Sequence, residues 1–168
     1  MEHIRKDGHT PDLPGQFRPN INLDTEACRM VLEILNHTLA DESVLATKTR
    51  SAYWNVSGPG FLKLRTLYNS HYQQLNGLCN ETAERIWTLG GKAVCTLREY
   101  VKNKRLEERP GTVPDILSLL TDHEASIRFL REESRICTEE YGDQGTYELL
   151  IKGMLMHEKM AWMLRSQI

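Results

Sequence analysis

The chain has 168 residues, with 21 lysines and arginines against 23 aspartates and glutamates, so its formal net charge is -2. Hydrophobic residues make up 40% of it and charged residues 26%, a balance that excludes a disordered chain and suffices for one domain with its own core. The near-neutral charge argues against a dedicated nucleic-acid-binding protein. The absence of a long apolar run or an apolar leader argues against membrane insertion and export, so we expect a cytoplasmic domain.

Residues 1–22 are predicted to form a flexible N-terminal tail, because they are rich in proline, glycine, aspartate and histidine and show no helical or strand period. Three basic and three acidic side chains give this tail no net charge at pH 7. A tail without net positive charge attracts a phosphate backbone weakly, so we expect weak or no DNA binding at neutral pH. The domain is then predicted to span residues 23–168.

The first two long helices are indicated by apolar residues at three- and four-residue steps between the prolines. Helix one is predicted to be capped by Asn22 or Asp24 and to reach about Val56, where a Ser-Gly-Pro-Gly sequence breaks it. Helix two is predicted over about 60–89, and the glycine pair that begins at Gly90 ends it as a C-cap.

The second half of the chain predicts one short and two long helices. A short amphipathic piece falls at about 95–104, within a connection too long for a simple hairpin loop. The third long helix is predicted to be capped by Thr112 and to continue to the glycine-rich turn at 142–145, and the fourth covers about 146–166. Since no window alternates as a strand does, the predicted fold class is all-α: a ferritin-like four-helix bundle with a short helix in the middle connection.

Two side chains on these helices are predicted to be part of the core. His123 lies on the apolar stripe of the third long helix, where a hydrogen-bonded core histidine is the expected role, and Trp54 is predicted to be buried as well. The six histidines do not cluster in the sequence, and no Glu-x-x-His pair occurs. That absence argues against the di-iron pair found inside the bundle of larger ferritins.

Motifs in the first, second and fourth long helices occur in a recognisable order and spacing. They are Leu39-Ala40-Asp41, Lys48-Thr49-Arg50, Tyr53-Trp54-Asn55-Val56-Ser57-Gly58-Pro59, Ala83-Glu84-Arg85-Ile86 and His157-Glu158-Lys159-Met160-Ala161-Trp162-Met163-Leu164-Arg165. Over roughly Leu35 to Ile168 the chain resembles the Dps family, the DNA-binding proteins from starved cells, which are ferritin-like mini-ferritins. The resemblance implies a hollow homo-oligomer, a dodecamer, that oxidises ferrous iron with peroxide and stores the ferric mineral inside.

In the resembled family, the ferroxidase centre lies between two subunits and uses two histidines, an aspartate and a glutamate. The matching positions here are Tyr53, Arg65, Asn80 and Glu84, so that only the glutamate is kept. A guanidinium is always charged, accepts no hydrogen bond and repels a cation. We therefore expect no catalytic residue and no iron at this site, with Glu84 as the remaining candidate metal ligand and an Arg65–Glu84 pair across the subunit boundary.

The family also admits cations through acidic three-fold pores near the start of its last helix. The resemblance places Asp143 and Glu148 at those positions, and Lys152 one turn further weakens the acidic wall. Cation access is therefore expected through Asp143 and Glu148.

Three functions are compatible with these residues. The first is a Dps-like shell that sequesters and stores iron for stress protection, with its usual ferroxidase centre lost. The second is an active ferroxidase that oxidises Fe(II) with peroxide at a relocated or residual site. The third is a structural or DNA-protecting shell without iron chemistry. The sequence leaves open whether the protein is an enzyme.

Overall fold

The structure, a computed structural model, describes residues 19–168. Its helices are α1 (Thr25–Asn55), α2 (Phe61–Thr88), α3 (Leu97–Asn103), α4 (Ile116–Glu139) and α5 (Gln144–Arg165). No strand occurs in the described part of the chain, which confirms the predicted all-α bundle with a short helix in its middle connection. The predicted tail lies almost entirely outside the described residues. Within residues 19–168, every helix is too short or too polar to span a membrane.

Helix starts follow from local capping, and one predicted cap is wrong. At the start of α1 the Asp24 carboxylate accepts a hydrogen bond from a first-turn backbone N–H at 2.7 Å, whereas Asn22 adopts a left-handed backbone with φ of 59°. At the start of α4 the cap is Asp115 and not Thr112, because the Asp115 carboxylate accepts the Ser118 N–H at 2.8 Å. A side-chain oxygen that satisfies one of the first free N–H groups sets where a helix begins.

The helices form two antiparallel hairpins, α1 with α2 and α4 with α5. The chain crosses between the hairpins through residues 89–115, and α3 within this crossover packs against α1. At the start of the crossover the backbone approaches α1 so closely that a Cβ on Gly91 would lie 2.3 Å from the Leu32 side chain. A side chain at this position would therefore require the Leu32 side chain to move.

The crossover is tied to the bundle by one buried network of charges. Arg105 forms an ion pair with Asp41 of α1 at 2.7 Å and a second with Glu133 of α4. The Asp41 carboxylate also accepts the backbone N–H groups of Arg105 at 2.6 Å and Leu106 at 3.1 Å. One cation thus joins the crossover to two helices that are far apart in sequence.

The core consists of two apolar clusters, one toward each end of the bundle. On α1, α4 and α5 a buried polar residue lies between the two clusters: Glu42, His123 and His157 respectively. His123 is fully buried, as predicted. Trp54, predicted to be core, is 63% exposed in the single chain. It follows the buried Ala52 by two positions, about 200° around the helix, and therefore projects away from the core.

Candidate functional site

Tyr53 and Arg65 lie together where α1 ends and α2 begins. The Arg65 guanidinium stacks over the Tyr53 ring, with its central carbon 4.3 Å from the ring centre. Arg65 Nη2 donates to the Tyr53 hydroxyl at 3.1 Å and Nη1 donates to the Tyr53 carbonyl at 3.4 Å. A planar guanidinium that stacks and donates in this way is a strong cation–π and hydrogen-bonded arrangement. The corner is therefore filled by an organic cation.

Asn80 and Glu84 lie one turn apart on the exposed side of α2, well away from that corner. At 1.5 Å per residue, Arg65 is about 22 Å from Asn80 and about 28 Å from Glu84 along the helix axis. One chain consequently presents two separate half-sites, and all four positions can meet only if two chains pair. Within residues 19–168, Glu84 makes no ion pair, so its predicted contact with Arg65 of a second subunit stays a prediction.

The structure gives the two predicted pore acids different surroundings. Asp143 is buried and caps α5, accepting the Thr146 backbone N–H at 2.9 Å and the Thr146 hydroxyl at 2.6 Å. Its carboxylate also forms an ion pair with Arg85 of α2 at 2.6 Å. Glu148 is exposed on α5, and Lys152 is paired with Glu81 of α2 at 2.5 Å. In this chain Glu148 is thus the acid available to a passing cation, and cation access stays a prediction.

A buried polar cluster that the sequence analysis missed lies at the centre of the bundle. Glu42, His71, His123 and His157 come one each from α1, α2, α4 and α5, and each is at most 1% exposed. Nδ1 of His123 is hydrogen-bonded to Nδ1 of His157 at 2.8 Å, and Nε2 of His157 to Oε1 of Glu42 at 2.7 Å. The His71 ring contacts the His123 ring edge-on, with 5.8 Å between centroids. We name these four residues the core cluster.

Burial controls the charge of two histidines in the core cluster. Desolvation lowers the pKa of His71 to about 4, and the neighbouring His157 acts in the same direction. Desolvation also holds the pKa of His123 well below its usual value, again with contributions from its histidine neighbours. Both imidazoles are therefore neutral at pH 7, with one lone pair each.

Acid is expected to destabilise the fold through these neutral histidines. A histidine whose pKa is lower in the folded chain binds its proton preferentially in the unfolded chain, so stability falls as pH drops from about 6.5 toward 4. For His71 the expected loss is about 2 kcal/mol between pH 7 and pH 5. Urea unfolding at pH 7 and at pH 5, in the presence of a metal chelator, measures this change in the free energy of unfolding.

Two variants make this test specific. His71→Gln should reduce the difference between the two pH values, whereas His37→Gln, which alters a half-buried ring bonded to the Asn103 carbonyl at 2.7 Å, should leave it unchanged. Equal pH dependence in His71→Gln and the unmodified chain would contradict the assignment.

Among residues 19–168, no three histidine, cysteine, aspartate or glutamate side chains are already arranged around a point that could hold a metal ion. This applies to the core cluster as well as to Tyr53, Arg65, Asn80 and Glu84. The site positions predicted from the sequence thus separate into the Tyr53–Arg65 corner and the exposed Asn80–Glu84 turn.

Comparison with known proteins gives consistent matches over nearly the whole bundle. The family model of the ferritin-like domain, Ferritin, matches residues 32–168. An uncharacterised low-temperature-induced protein of Nostoc sp. (strain PCC 7120) is 39% identical over 155 residues, which cover 90% of this chain and 87% of that protein. DNA protection during starvation protein 2 of Bacillus anthracis is 33% identical over 141 residues, covering 82% of this chain and 96% of that protein.

A solved structure agrees with these sequence matches. The Dps protein from Vibrio cholerae O1, described as a member of a broad superfamily of ferritin-like diiron-carboxylate proteins, superimposes with a TM-score of 0.82 at 27% identity. The superposition covers 90% of this chain and 96% of that one. The similarity therefore extends over both helical hairpins and the crossover.

Proposed function

This chain belongs to the Dps family of ferritin-like mini-ferritins, and we propose that it forms a hollow homo-oligomeric shell that sequesters and stores iron under stress, with the inter-subunit ferroxidase centre of the family lost. Iron is the cargo of this shell. The observation that carries the proposal is the stacked Arg65–Tyr53 pair at the half-site where the family has two histidines.

The charge of the residues at that half-site disfavours a metal ion. Two neutral imidazoles would offer two lone pairs, whereas Arg65 offers none and adds a positive charge. A divalent cation at about 4 Å from a guanidinium is repelled by several kcal/mol at the effective dielectric of a protein surface. The Tyr53 hydroxyl already accepts a hydrogen bond from that guanidinium.

The other half-site fits an ion pair better than a metal centre. Asn80 supplies one neutral carbonyl and Glu84 one carboxylate, both exposed in the single chain. When two chains pair as in the family, Glu84 faces Arg65, and the two side chains are complementary as a bidentate carboxylate–guanidinium pair. The pair would stabilise the subunit contact without a metal.

Iron storage is supported by the family and by its relatives. The solved relative from Vibrio cholerae is described as ferritin-like and diiron-carboxylate, and the curated relatives are named for starvation and low temperature. Glu148 gives this chain one exposed acid near the start of α5, where the family admits cations.

The experiment adds ferrous iron anaerobically to the purified shell and then peroxide. We expect about twelve subunits by native mass spectrometry, in line with closed oligomeric symmetry. We also expect retained ferric iron and an initial oxidation rate equal to that of iron and peroxide without protein. A rate far above the protein-free rate would indicate an active ferroxidase. A shell that retains no iron would favour a structural function without iron chemistry. A stable monomer would overturn the assembly.

DNA binding by the same preparation tests the DNA-protecting alternative. The tail at residues 1–22 has no net charge, so we expect no retardation of duplex DNA at pH 7 near physiological salt. Tight binding that survives moderate salt would favour DNA protection over storage.

A further inference from the structure

Arg50 of α1 is half-buried and has no anionic partner. Of the two other half-buried arginines in the described chain, Arg85 forms an ion pair with Asp143 at 2.6 Å. The other, Arg65, donates to the Tyr53 hydroxyl at 3.1 Å. Within residues 19–168 the Arg50 guanidinium forms no ion pair and donates no hydrogen bond. Because a partly buried charge is unfavourable without a counter-ion, an anion beside Arg50 would stabilise it.

Two aromatic rings hold the Arg50 side chain in place. Its guanidinium carbon lies 5.0 Å from the centre of the Trp54 ring and 5.8 Å from the centre of the Tyr72 ring. Such contacts use the face of the planar guanidinium, whereas its five N–H groups point outward in the plane. The donors of Arg50 thus stay available, and the order that the rings impose lowers the entropy cost of binding a ligand.

Arg50 lines a cleft of about 270 Å³ between α1, α2 and α3. The described residues that form this cleft include no aspartate or glutamate, and its other polar members include Tyr72, Asn76, Asn80 and Tyr100. The side chains of Tyr72, Asn80 and Tyr100 make no hydrogen bond within residues 19–168. The cleft therefore combines one positive charge with neutral donors, and its lining contains no group that would repel an anion.

We propose that this cleft binds one small oxyanion per chain, with inorganic phosphate as the representative ligand, through the Arg50 guanidinium and the side-chain donors of Asn80 and Tyr100. The site goes beyond iron storage and needs no metal ion. It shares Asn80 with the ferroxidase positions, but Arg50 and Tyr100 are not among them. We name this site the anion cleft.

The chemistry of the anion cleft favours an oxyanion over other small ligands. A guanidinium presents two parallel N–H groups that match two oxygens of a phosphate or a carboxylate, which gives short, charge-assisted hydrogen bonds. The remaining oxygens of a tetrahedral phosphate can accept from the amide of Asn80 and the hydroxyl of Tyr100. A volume of about 270 Å³ lies just below the ~300–1,000 Å³ typical of sites for organic ligands, so it suits a small ion better than a nucleotide.

The anion cleft lies on the face that the proposed function assigns to a second chain, because Asn80 is one of the inter-subunit positions. The placement of that second chain rests on the proposed function. When Arg65 of one chain faces Glu84 of the other, the two α2 helices run antiparallel and their middle stretches lie opposite each other. Residues 66–80, which form this stretch, include no lysine, arginine, aspartate or glutamate. The second α2 consequently brings no carboxylate to Arg50, and a separate anion is still required.

The test is a calorimetric titration of the full-length protein with sodium phosphate at pH 7, with the ionic strength held constant by sodium chloride. We expect one phosphate per chain. Arg50→Gln should weaken phosphate binding at least about tenfold, the effect of losing one charge-assisted hydrogen bond. Asn80→Asp, which places a carboxylate in the anion cleft, should weaken binding as well. The control Arg128→Gln removes the same charge from an exposed position on α4 and should bind phosphate as the unmodified chain does.

Two further measurements cover the case in which a variant fails to fold or to assemble. Crystals of the unmodified protein grown with arsenate should show an anomalous peak of arsenic within hydrogen-bond distance of Arg50. Native mass spectrometry of each sample gives the number of subunits. No phosphate binding, equal binding by Arg50→Gln and Arg128→Gln, or anomalous peaks only elsewhere would each overturn the anion cleft. A monomer that binds phosphate would instead overturn the proposed shell and support the anion cleft.

Discussion

The combined variant Tyr53→His, Arg65→His and Asn80→Asp is expected to oxidise ferrous iron with peroxide at least about tenfold faster than the unmodified chain. Loss of a single group that supports a metal ligand already lowers activity by about tenfold or more, so restoring three ligands should raise the rate by at least that factor. The change removes a guanidinium and adds two imidazoles and one carboxylate, which restores the ligand set of the family beside Glu84. Stopped-flow absorbance of ferric iron formation measures the rate in assembled shells.

Two controls isolate the cause of this gain. Arg65→His alone removes the repelling charge but leaves Tyr53 and Asn80, so we expect a much smaller increase. Arg50→His alters a nearby guanidinium that lies 5.0 Å over the Trp54 ring, and it should change nothing in the rate. If the unmodified chain oxidises iron as fast as the triple variant, the loss of the ferroxidase centre is wrong.

Arg105→Met is expected to be the most destabilising single substitution in the crossover, by about 3 to 5 kcal/mol. It leaves the carboxylates of Asp41 and Glu133, 3% and 10% exposed, without their shared cation. Burial already raises the pKa of Glu133, and Arg105 counteracts that shift through a hydrogen bond and its charge. The urea midpoint of unfolding at pH 7 measures the effect.

A matched control separates burial from mere charge. Arg131→Met breaks an ion pair with Glu158 at 2.9 Å whose two side chains are 62% and 41% exposed. Exposed pairs contribute little because water screens them, so this variant should shift the midpoint several-fold less. Comparable shifts in the two variants would show that the Arg105 network does not anchor the crossover.

Local features of the chain could be predicted without the tertiary structure. The Asp24 cap, the end of α2 before Gly90 and the apolar stripe that buries His123 depend on residues within a few positions of one another. Capping and helical periodicity act over that range. The predicted cap of the third long helix, Thr112, was wrong, because the Asp115 carboxylate accepts the Ser118 N–H and α4 begins after it.

The motifs also indicated the family and showed which residues occupy the four ferroxidase positions, because residue types at fixed spacing can be recognised in the sequence alone. The contacts of Arg65 could not be predicted from the sequence, since its stacking on Tyr53 depends on the angle between α1 and α2. Likewise, the sequence did not show the surroundings of Asp143, whose buried carboxylate caps α5 and forms an ion pair with Arg85 of α2.

The core cluster is the feature that only the tertiary structure decided. Glu42, His71, His123 and His157 lie on four different helices and share no sequence motif. The sequence therefore predicted a hydrogen-bonded core histidine at His123 but not its partners. The period of each helix determines which side chains face inward. Which inward residue of one helix meets those of the other three depends on how the helices are packed along and around one another, and no single helix specifies that register.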